Sequence, residues 1–508
     1  MSIISFRNYN GGFMKLNYKR TILVGFAFFL IQAFWGAYDA IVPLALTNHF
    51  GLPQDLSGVV MSLDNILAVF MLPIFGAISD KINSRYGKRT PFVFIGTILA
   101  VIAFVCLTFI DNAQIANVVG SGQNIPELRD QAKAALENVH TLYKNNQIDK
   151  ATYDAMREAA ELRLSEIDSI TYAITKANIT PLIGFIGLLL MSLIAMATFR
   201  SPAVALMPDV TVKPLRSKGN AIINLMGTAG GIIILVFGMI FGTSKHLYMN
   251  YTGYVIAVCA VMIVGLVVFM LFVKEKKWAQ EMQEETVRLG IEEKSENEEA
   301  KESRKLSKPE LASFILILAS VALWYIGYNA ITSKYSVYAT NILGFDYNLT
   351  LIVAQAAAVV SYIPVGMIAS KIGRRRSILI GVAILMISFF AASFITSASS
   401  PVLMYVLFAT AGVGWATINV NSFPMAVELA KGGDVGKYTG YYYTASMSAQ
   451  IVTPILSGFL IERIGWSIFF PYAAFFVALS FVTMYFVKHG DSKAEKVSAL
   501  EAFAGSDD

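Results

Sequence analysis

The chain is poor in cysteine, histidine and charge. Its 508 residues include only two cysteines and four histidines, and neither type has the spacing of a disulfide framework or a metal site. We therefore expect no metal, and we expect the histidines to be surface residues. Charged residues make up 15% of the chain, against about 25% in ordinary soluble domains. No phosphate-binding loop of the Gly-x-x-x-x-Gly-Lys type is present, which argues against ATP as a driving force.

Long apolar segments take the place of these missing features. Hydrophobic residues make up 56% of the chain, and twelve runs of roughly 20 apolar residues occur between residues 21 and 488. Each run is long enough for a helix to cross a hydrocarbon core of about 30 Å. The first run is too long for a cleavable signal peptide. The pattern predicts an all-α membrane protein with twelve transmembrane helices, surrounded by lipid and with no nucleic acid as a partner.

The two halves of the sequence resemble each other. Tyr38-Asp39-Ala40-Ile41 corresponds to Tyr328-Asn329-Ala330-Ile331, and the same offset of 290 residues (328 minus 38) places Gly76 on Gly366. A constant offset predicts two parallel six-helix bundles related by an axis along the membrane normal, with a cavity between them. We predict an N-terminal bundle at 1–273, a solvated linker at 274–309, a C-terminal bundle at 310–488 and a tail at 489–508.

Charge distribution predicts the orientation in the membrane. Most of the 40 Lys and Arg residues fall on the side that holds both termini, the linker and the basic turns, which should be cytoplasmic. One insertion, 111–180, then lies outside, and its helical spacing predicts an external hairpin of two helices at about 126–143 and 149–172. It could serve stability or trafficking, or it could dock a partner.

Two basic turns carry a family resemblance. The turn from Gly76 to Arg89 resembles the signature loop of the major facilitator superfamily, and Gly366 to Arg376 is its counterpart in the second half. The stretches at 200–227 and 438–447 resemble the glycoside–pentoside–hexuronide cation symporters and the related sucrose and maltose carriers. The resemblance covers nearly the whole chain except the insertion and the termini. It implies two six-helix bundles that move by alternating access.

The signature turns predict a cytoplasmic gate. Gly76 permits close helix approach, and Asp80 can pair with Arg89. Ser370 stands where the second half would need the matching acid, so we expect a weaker latch there. Alternatively, these charges only set the topology. The predicted gate residues are Gly76, Asp80, Lys88, Arg89, Gly366, Arg374 and Arg375.

Four ionisable residues lie within or near the ends of predicted spans. Such groups cost about 2.5–3.5 kcal/mol each at mid-depth and are functional candidates by default. Asp39 and Lys334 occupy equivalent spans, so these side chains could meet across the cavity; with Asp64 they form the predicted proton-coupling set. A structural ion pair is the alternative reading. The resemblance implies that Arg200 serves sugar transport, and pairing with Asp209 or with backbone carbonyls at the cytoplasmic end is its alternative.

Sugar recognition needs hydrogen-bonding groups beside an aromatic platform. Suitable intramembrane residues are numerous, although any one of them could instead make a helix-packing hydrogen bond. The predicted substrate-binding residues are Tyr38, Asn65, Arg200, Asn224, Trp324, Tyr328, Asn329, Gln355, Asn419 and Tyr442.

The coupling ion is predicted from a departure from the family pattern. Sodium-coupled melibiose-type carriers have two acids in span 2, where this chain has Ala68 and Leu72. Oxygen ligands for a hard cation are therefore missing, which favours protons over sodium. We expect a monomeric, non-enzymatic plasma-membrane symporter, without cofactors, that imports a glucoside such as sucrose or maltose. Sodium symport, facilitated diffusion, efflux and a non-transporting sugar sensor remain alternatives.

Overall fold

The structure is a computed structural model that describes residues 6–7, 13–14, 16–212, 215–245, 248–288, 306–429 and 435–489. At positions 6–7, 13–14, 217, 363, 370, 427 and 435–437 it describes the backbone but not the side chain. The side chain of Ser370, residues 289–305 of the predicted linker and nearly all of the predicted tail therefore lie outside the described residues.

The described part of the first half is helical apart from one short strand pair. The strands β1 (Phe6–Arg7) and β2 (Phe13–Met14) are antiparallel and only two residues long. The helices are α1 (Tyr18–Leu44), α2 (Gln54–Lys81), α3 (Thr90–Val119), α4 (Ile125–Lys144), α5 (Lys150–Ala177), α6 (Thr180–Asp209), α7 (Arg216–Phe241), α8 (Thr252–Phe272) and α9 (Glu275–Arg288). A π-helix, Ala45–His49, extends the end of α1.

The second half repeats this arrangement without the insertion. Its helices are α10 (Lys308–Val337), α11 (Tyr347–Ile372), α12 (Arg374–Ala392), α13 (Pro401–Glu428), α14 (Val435–Ile464) and α15 (Phe469–Tyr485). A π-helix, Tyr338–Leu343, extends α10 as its counterpart extends α1, and a short 3₁₀ turn, Trp466–Ile468, precedes α15.

Twelve of these helices contain an apolar segment that is a candidate for insertion into a membrane. Among the described residues, eleven are long and apolar enough to cross a membrane, and α11 contributes a shorter apolar stretch at Tyr347–Tyr362. In lipid, a helix satisfies its backbone hydrogen bonds internally, which is why long apolar runs fold this way. The predicted all-α membrane fold with twelve spanning segments is confirmed.

Equivalent helices pair in both halves. Helix α3 packs on α6 as α12 packs on α13, and α1 packs on α7 as α10 packs on α14. Small residues make the closest approaches possible. At the α12–α13 crossing, a Cβ added to Gly381 would lie 2.9 Å from the carbonyl oxygen of Gly414, and the reverse distance is the same. This shared pairing follows from the duplication seen in the sequence.

The inserted helices α4 and α5 form a hairpin at one end of the bundle, as predicted. The rings of Tyr143 and Tyr153 stack at 4.4 Å near the hairpin tip. A small apolar cluster that includes Ile125 and Ile167 fixes its base. We call this end of the molecule the hairpin face, and the opposite end, where α2 meets α3, the Arg89 face.

The two halves make close contact at the hairpin face. A Cβ on Gly58 of α2 would lie 2.0 Å from the carbonyl oxygen of Pro454 of α14, and one on Gly458 would lie 2.2 Å from that of Gln54. Further along α2, large apolar side chains such as Phe70 and Ile74 are exposed. The structure is thus closed at the hairpin face, and the side chains of α2 become more exposed towards the Arg89 face.

Candidate functional site

Asp39 faces the cleft between the halves. Its side chain is exposed, whereas those of Tyr38 and Ala40 on either side are buried. It interacts electrostatically with Asp64 of α2 and with Tyr328 of the second half. A helix residue that reaches partners on both sides points into the space between them, so Asp39 does not face lipid.

Asp64 lies between an amide and a guanidinium group. Asn65 Nδ2 donates to Asp64 Oδ1 at 2.8 Å, and the Arg200 guanidinium attracts the same carboxylate. The guanidinium carbon of Arg200 also lies 5.9 Å from the ring centre of Trp35, within the range of a cation–π contact. The first half therefore brings Asp39, Asp64 and Arg200 into one cluster, which we call the central charge cluster.

Arg200 does not use the alternative partner proposed from the sequence. Asp209 Oδ2 instead accepts a hydrogen bond from Arg89 Nε at 2.8 Å. Because long side chains on a helix lean towards its N-terminus, Arg200 of α6 extends away from the Arg89 face and towards mid-depth. This orientation explains its contact with Trp35 and Asp64.

The second half contributes an aromatic wall. The rings of Tyr328 on α10 and Trp415 on α13 are nearly parallel, at 3° and 3.6 Å between centres. Tyr325 meets Trp415 edge-on at 5.3 Å and 85°. Such packing holds the indole in one orientation. The platform expected near Tyr328 is present, and Trp415 completes it.

Several buried polar atoms in this region have no hydrogen-bond partner among the described residues. An unpaired buried donor or acceptor costs about 1–3 kcal/mol, so these atoms are suited to a ligand rich in hydroxyl groups. They are Trp35 Nε1, Tyr38 Oη, Trp324 Nε1, Asn329 Nδ2 and Asn419 Oδ1.

The remaining predicted binding residues differ in their surroundings. Tyr442 Oη lies 2.8 Å from Ser422 Oγ, a buried bond within the second half. Gln355 approaches α7 of the first half, where its Oε1 lies 3.4 Å from the position of a Cβ on Gly231. Asn224 is half-buried on α7. Gln355 is therefore placed to respond to movement between the halves, whereas the hydroxyl group of Tyr442 is hydrogen-bonded within its own half.

Lys334 does not meet Asp39. Its buried ammonium group donates to the backbone oxygen of Gln54 at 3.1 Å and to Gln54 Oε1 at 3.2 Å. Glu462 Oε2 accepts from the backbone N–H of the same Gln54 at 2.7 Å. The Asp39–Lys334 pair that the sequence allowed is not formed in this conformation, because Lys334 lies nearer the hairpin face and binds the first residue of α2 there.

The predicted gate residues converge at the Arg89 face. Arg89 donates to Asp80 Oδ1 at 2.5 Å, to Asp209 and to Ser79 Oγ. The expected pairing of Asp80 with Arg89 is confirmed. Gly76 also lies in close contact, since a Cβ there would be 2.9 Å from Ser201 Oγ.

The second half has a matching ion pair that the offset of 290 residues did not predict. Arg374 Nη1 lies 2.5 Å from Glu428 Oε2. Arg375 donates to the backbone oxygen of Tyr485. Glu428, at the end of α13, corresponds to Asp209, whereas Arg89 in the first half also pairs with Asp80. The weaker second latch expected from Ser370 therefore stays a prediction. Gly366 lies within α11, near the same face.

Glu275 is a functional candidate that the sequence analysis missed. Its buried carboxylate accepts from the backbone N–H groups of Lys88 at 2.6 Å, Arg89 at 2.9 Å and Thr90 at 2.8 Å. Gly87, at φ +125°, leaves the room for it, because a Cβ would lie 2.2 Å from the carboxyl carbon. An acid at a helix N-terminus is favourable. Part of the predicted linker is thus helix α9, docked against the bundle.

The contact between His49 and Asp111 is a second feature that the sequence analysis did not predict. Both are buried, and His49 Nδ1 lies 2.7 Å from Asp111 Oδ1. His140 is also buried, 2.9 Å from Tyr153 Oη. The prediction that the histidines are surface residues is therefore wrong for these two. The signal available at His49 was its position three residues after the apolar run that ends at Leu46 and directly before Phe50.

Comparison with known families decides the class of the protein. A family model described as Major Facilitator Superfamily matches residues 169–449 and 347–504, and one described as MFS/sugar transport protein matches 23–116. The chain belongs to the major facilitator superfamily. This membership identifies a membrane carrier and not an enzyme. The narrower resemblance to the glycoside–pentoside–hexuronide branch stays a prediction.

Curated relatives of this superfamily member match only a part of it. Proton-associated sugar transporter A of Homo sapiens is 32% identical over 114 residues, which is 22% of this chain and 14% of the relative. The protein of the same name from Mus musculus is 33% identical over 102 residues, or 20% and 12%. The chain thus matches only 14% and 12% of the length of these two relatives.

Solved structures share the fold of this carrier at low identity. The inward open conformation of the xylose transporter XylE from E. coli is 12% identical, with a TM-score of 0.57, over 94% of this chain and 98% of that one. A POT family transporter in complex with 5-aminolevulinic acid has a TM-score of 0.60 at 12% identity, over 92% and 95%. These likenesses concern the fold alone.

Proposed function

We propose that this carrier is a proton-coupled symporter that imports a neutral glucoside, such as the disaccharides sucrose or maltose. The observation that carries the proposal is the arrangement in the cleft: two carboxylates and one guanidinium on the first half face an aromatic wall on the second. Stacked aromatic rings offer a flat apolar surface to the C–H face of a sugar ring. Charged and amide groups opposite it can bind the hydroxyls.

The charge count of the central charge cluster supports coupling to protons. With Asp39 and Asp64 ionised and Arg200 protonated, the three groups carry a net charge of −1. One proton on Asp39 makes the cluster neutral without moving any other ion. Because a net charge within the membrane is costly, a neutral sugar and a proton form a favourable joint load. The same count disfavours sugar acids and sugar phosphates.

The partial match to proton-associated sugar transporters also supports this proposal. The match of residues 23–116 to the family model described as MFS/sugar transport protein supports it as well. Ala68 and Leu72, where melibiose-type carriers have acids, favour protons over sodium.

We further propose that the carrier lies in the plasma membrane with the Arg89 face and both termini in the cytoplasm. The basic residues of the Arg89 face favour this orientation. The structure, closed at the hairpin face, is then an inward-facing state. Opening the hairpin face would require Gln54 to leave Lys334 and Glu462.

The free energy released by one proton is sufficient to concentrate one sugar molecule inside the cell. A proton moving down about 100 mV releases about 2.3 kcal/mol, and each tenfold sugar gradient requires about 1.4 kcal/mol. One proton could thus sustain roughly fortyfold accumulation.

The test is uptake of labelled sugars into right-side-out vesicles under an inward pH gradient, an inward sodium gradient, or neither. We expect concentrative uptake of a neutral disaccharide with the pH gradient alone, together with acidification of the lumen. Uptake driven by sodium would overturn the choice of ion. Uptake that never exceeds equilibrium would point to facilitated diffusion, and sugar binding without flux would point to a sensor.

A further inference from the structure

The hairpin belongs to the first half and is fastened to it. It joins α3 to α6 in the sequence, and buried hydrogen bonds hold it at the end of α1. Thr175 Oγ1 donates to the backbone oxygen of Phe50 at 2.8 Å, and Gln114 Nε2 donates to Thr175 Oγ1 at 2.8 Å. Arg129, fully buried, donates to the backbone oxygen of Asn48 at 3.3 Å. These bonds make the hairpin a rigid extension of the first half.

The hairpin also reaches across to the second half. Glu137 Oε1 lies 3.3 Å from the position of a Cβ on Gly344, which follows the π-helix of the second half. Arg157 of α5 interacts electrostatically with Tyr338 of the second half. Asp168 and Glu462, near the end of α14, carry like charges and repel each other. These contacts are polar, and they involve fewer buried groups than the contacts that fasten the hairpin to the first half.

A cavity of about 260 Å³ lies between the hairpin and the second half. Its hairpin wall includes Lys133 and Ser165, and its opposite wall includes Ile342 and Trp466. The two halves therefore share a surface there that is partly open, not a continuous packed core.

These contacts lie directly over the closed mouth of the carrier. The two π-helices meet where Asn341 Nδ2 donates to Asn48 Oδ1 at 2.6 Å. The latch formed by Gln54, Lys334 and Glu462 is next to them. π-helical turns within longer helices are frequent at functional sites, and here one ends the first helix of each half.

We propose that the hairpin is a clasp, which holds the hairpin face closed and must leave the second half before that face opens. Opening separates Asn48 from Asn341, and a hairpin fixed to the first half moves with Asn48. Its contacts at Gly344 and Tyr338 must then break. They break first because the opposite attachment is buried and hydrogen-bonded, whereas the contact with the second half is polar and flanked by a cavity. This gating role goes beyond the proposed choice of solute and ion.

The test is a reversible lock between the hairpin and the second half. In a chain with Cys106→Ala and Cys259→Ala, the pair Ser165→Cys and Ile342→Cys is bridged with a bis-methanethiosulfonate reagent. We expect the lock to reduce sugar uptake at least tenfold and a reductant to restore it. The matched control, Ser165→Cys with Lys133→Cys, bridges the same cavity within the hairpin and should leave uptake within twofold. Equal uptake in the locked and control proteins would overturn the clasp.

Hydrogen–deuterium exchange separates this proposal from the choice of solute. The lock should slow exchange at residues 45–54 and 338–347 at least tenfold, whether or not a transported sugar is known, and the control bridge should not. A slowed exchange with no sugar transport would leave the clasp standing and remove the proposed function. Unchanged exchange in a locked protein would overturn the clasp. Uptake and exchange measured before bridging establish that each double variant folds.

Discussion

Arg374 and Glu428 form an ion pair at 2.5 Å that repeats, in the second half, the pair between Arg89 and Asp209 in the first. In both halves the arginine stands at the start of the third spanning helix and the acid ends the fourth. Equivalent ion pairs thus join equivalent helices at the Arg89 face. The pairs lie within each half, so they can stay intact while the halves move apart.

Glu428→Gln should destabilise the second half. The Arg374 side chain is 19% exposed, and loss of its charged partner costs about 1.5–3 kcal/mol. We expect a lower thermal unfolding temperature and slower uptake. Glu285→Gln, which removes an exposed pair with Arg288 on α9, is the matched control and should change neither. Equal unfolding temperatures in the two variants would contradict a structural role for the Arg374–Glu428 pair.

Asp39→Asn should uncouple sugar from protons. The amide cannot exchange a proton but keeps the size of the side chain. We expect loss of concentrative uptake, whereas counterflow exchange between equal sugar pools can persist. Glu166→Gln on the exposed side of the hairpin serves as the control. Full concentrative uptake by the Asp39 variant, measured with an inward pH gradient, would remove Asp39 from coupling.

Lys334→Met should favour opening of the hairpin face. The substitution removes two hydrogen bonds to Gln54 from a buried position. We expect the apparent affinity for sugar to increase from the hairpin side and to decrease from the Arg89 side, as measured in oriented vesicles. If the affinities stay the same and only proton coupling is lost, the coupling role predicted from the sequence is correct and the latch role is not.

Trp415→Ala should weaken sugar binding. It removes the ring that stacks on Tyr328 at 3.6 Å. We expect KM to increase at least tenfold, a change of about 1.4 kcal/mol. Trp415→Phe keeps an aromatic face and should change KM less. The control Tyr325→Phe keeps the ring that meets Trp415 edge-on. A tenfold loss in kcat with unchanged KM would show that Trp415 supports movement instead of binding.

Docking of the hairpin should strengthen as the pH falls through 6. Burial raises the pKa of Asp168 to about 6, with Glu462 adding to the effect and Arg129 opposing it. A docked carboxyl that binds protons more readily than its ordinary value of 3.8 gains stability from protonation. The cost of the ionised form is fully present above about pH 6 and is relieved as the pH falls towards 4. Its side chain is 34% exposed, so we expect a severalfold effect.

Thiol labelling of Ile342→Cys beneath the hairpin measures this effect. Labelling should be slower at pH 5 than at pH 7.5, and Asp168→Asn should remove the difference. Glu166→Gln, on the exposed side of the same helix, should keep it. Faster labelling at pH 5 in the unmodified hairpin would contradict the expected sign.

Periodicity and charge were sufficient to predict the coarse architecture. The twelve apolar runs, the inserted hairpin and the family followed from residue patterns, because lipid permits few folds and each spanning helix needs a contiguous apolar segment. The Asp80–Arg89 pair was also within reach, since both residues lie in one short turn. The choice of protons over sodium, which was based on Ala68, Leu72 and Asp39, stays a prediction.

Contacts between residues far apart in the sequence were decided by the tertiary structure alone. Lys334 binds Gln54, 280 residues away, and Glu275 caps a helix that begins 185 residues earlier. No local pattern marks such partners, because each depends on how far along its helix a side chain lies once the helices pack. The sequence by itself determined which segments span and which residues carry charge. The depth, tilt and packing of those helices determined which charges meet, since a shift of one helical turn, about 5.4 Å, exchanges one partner for another.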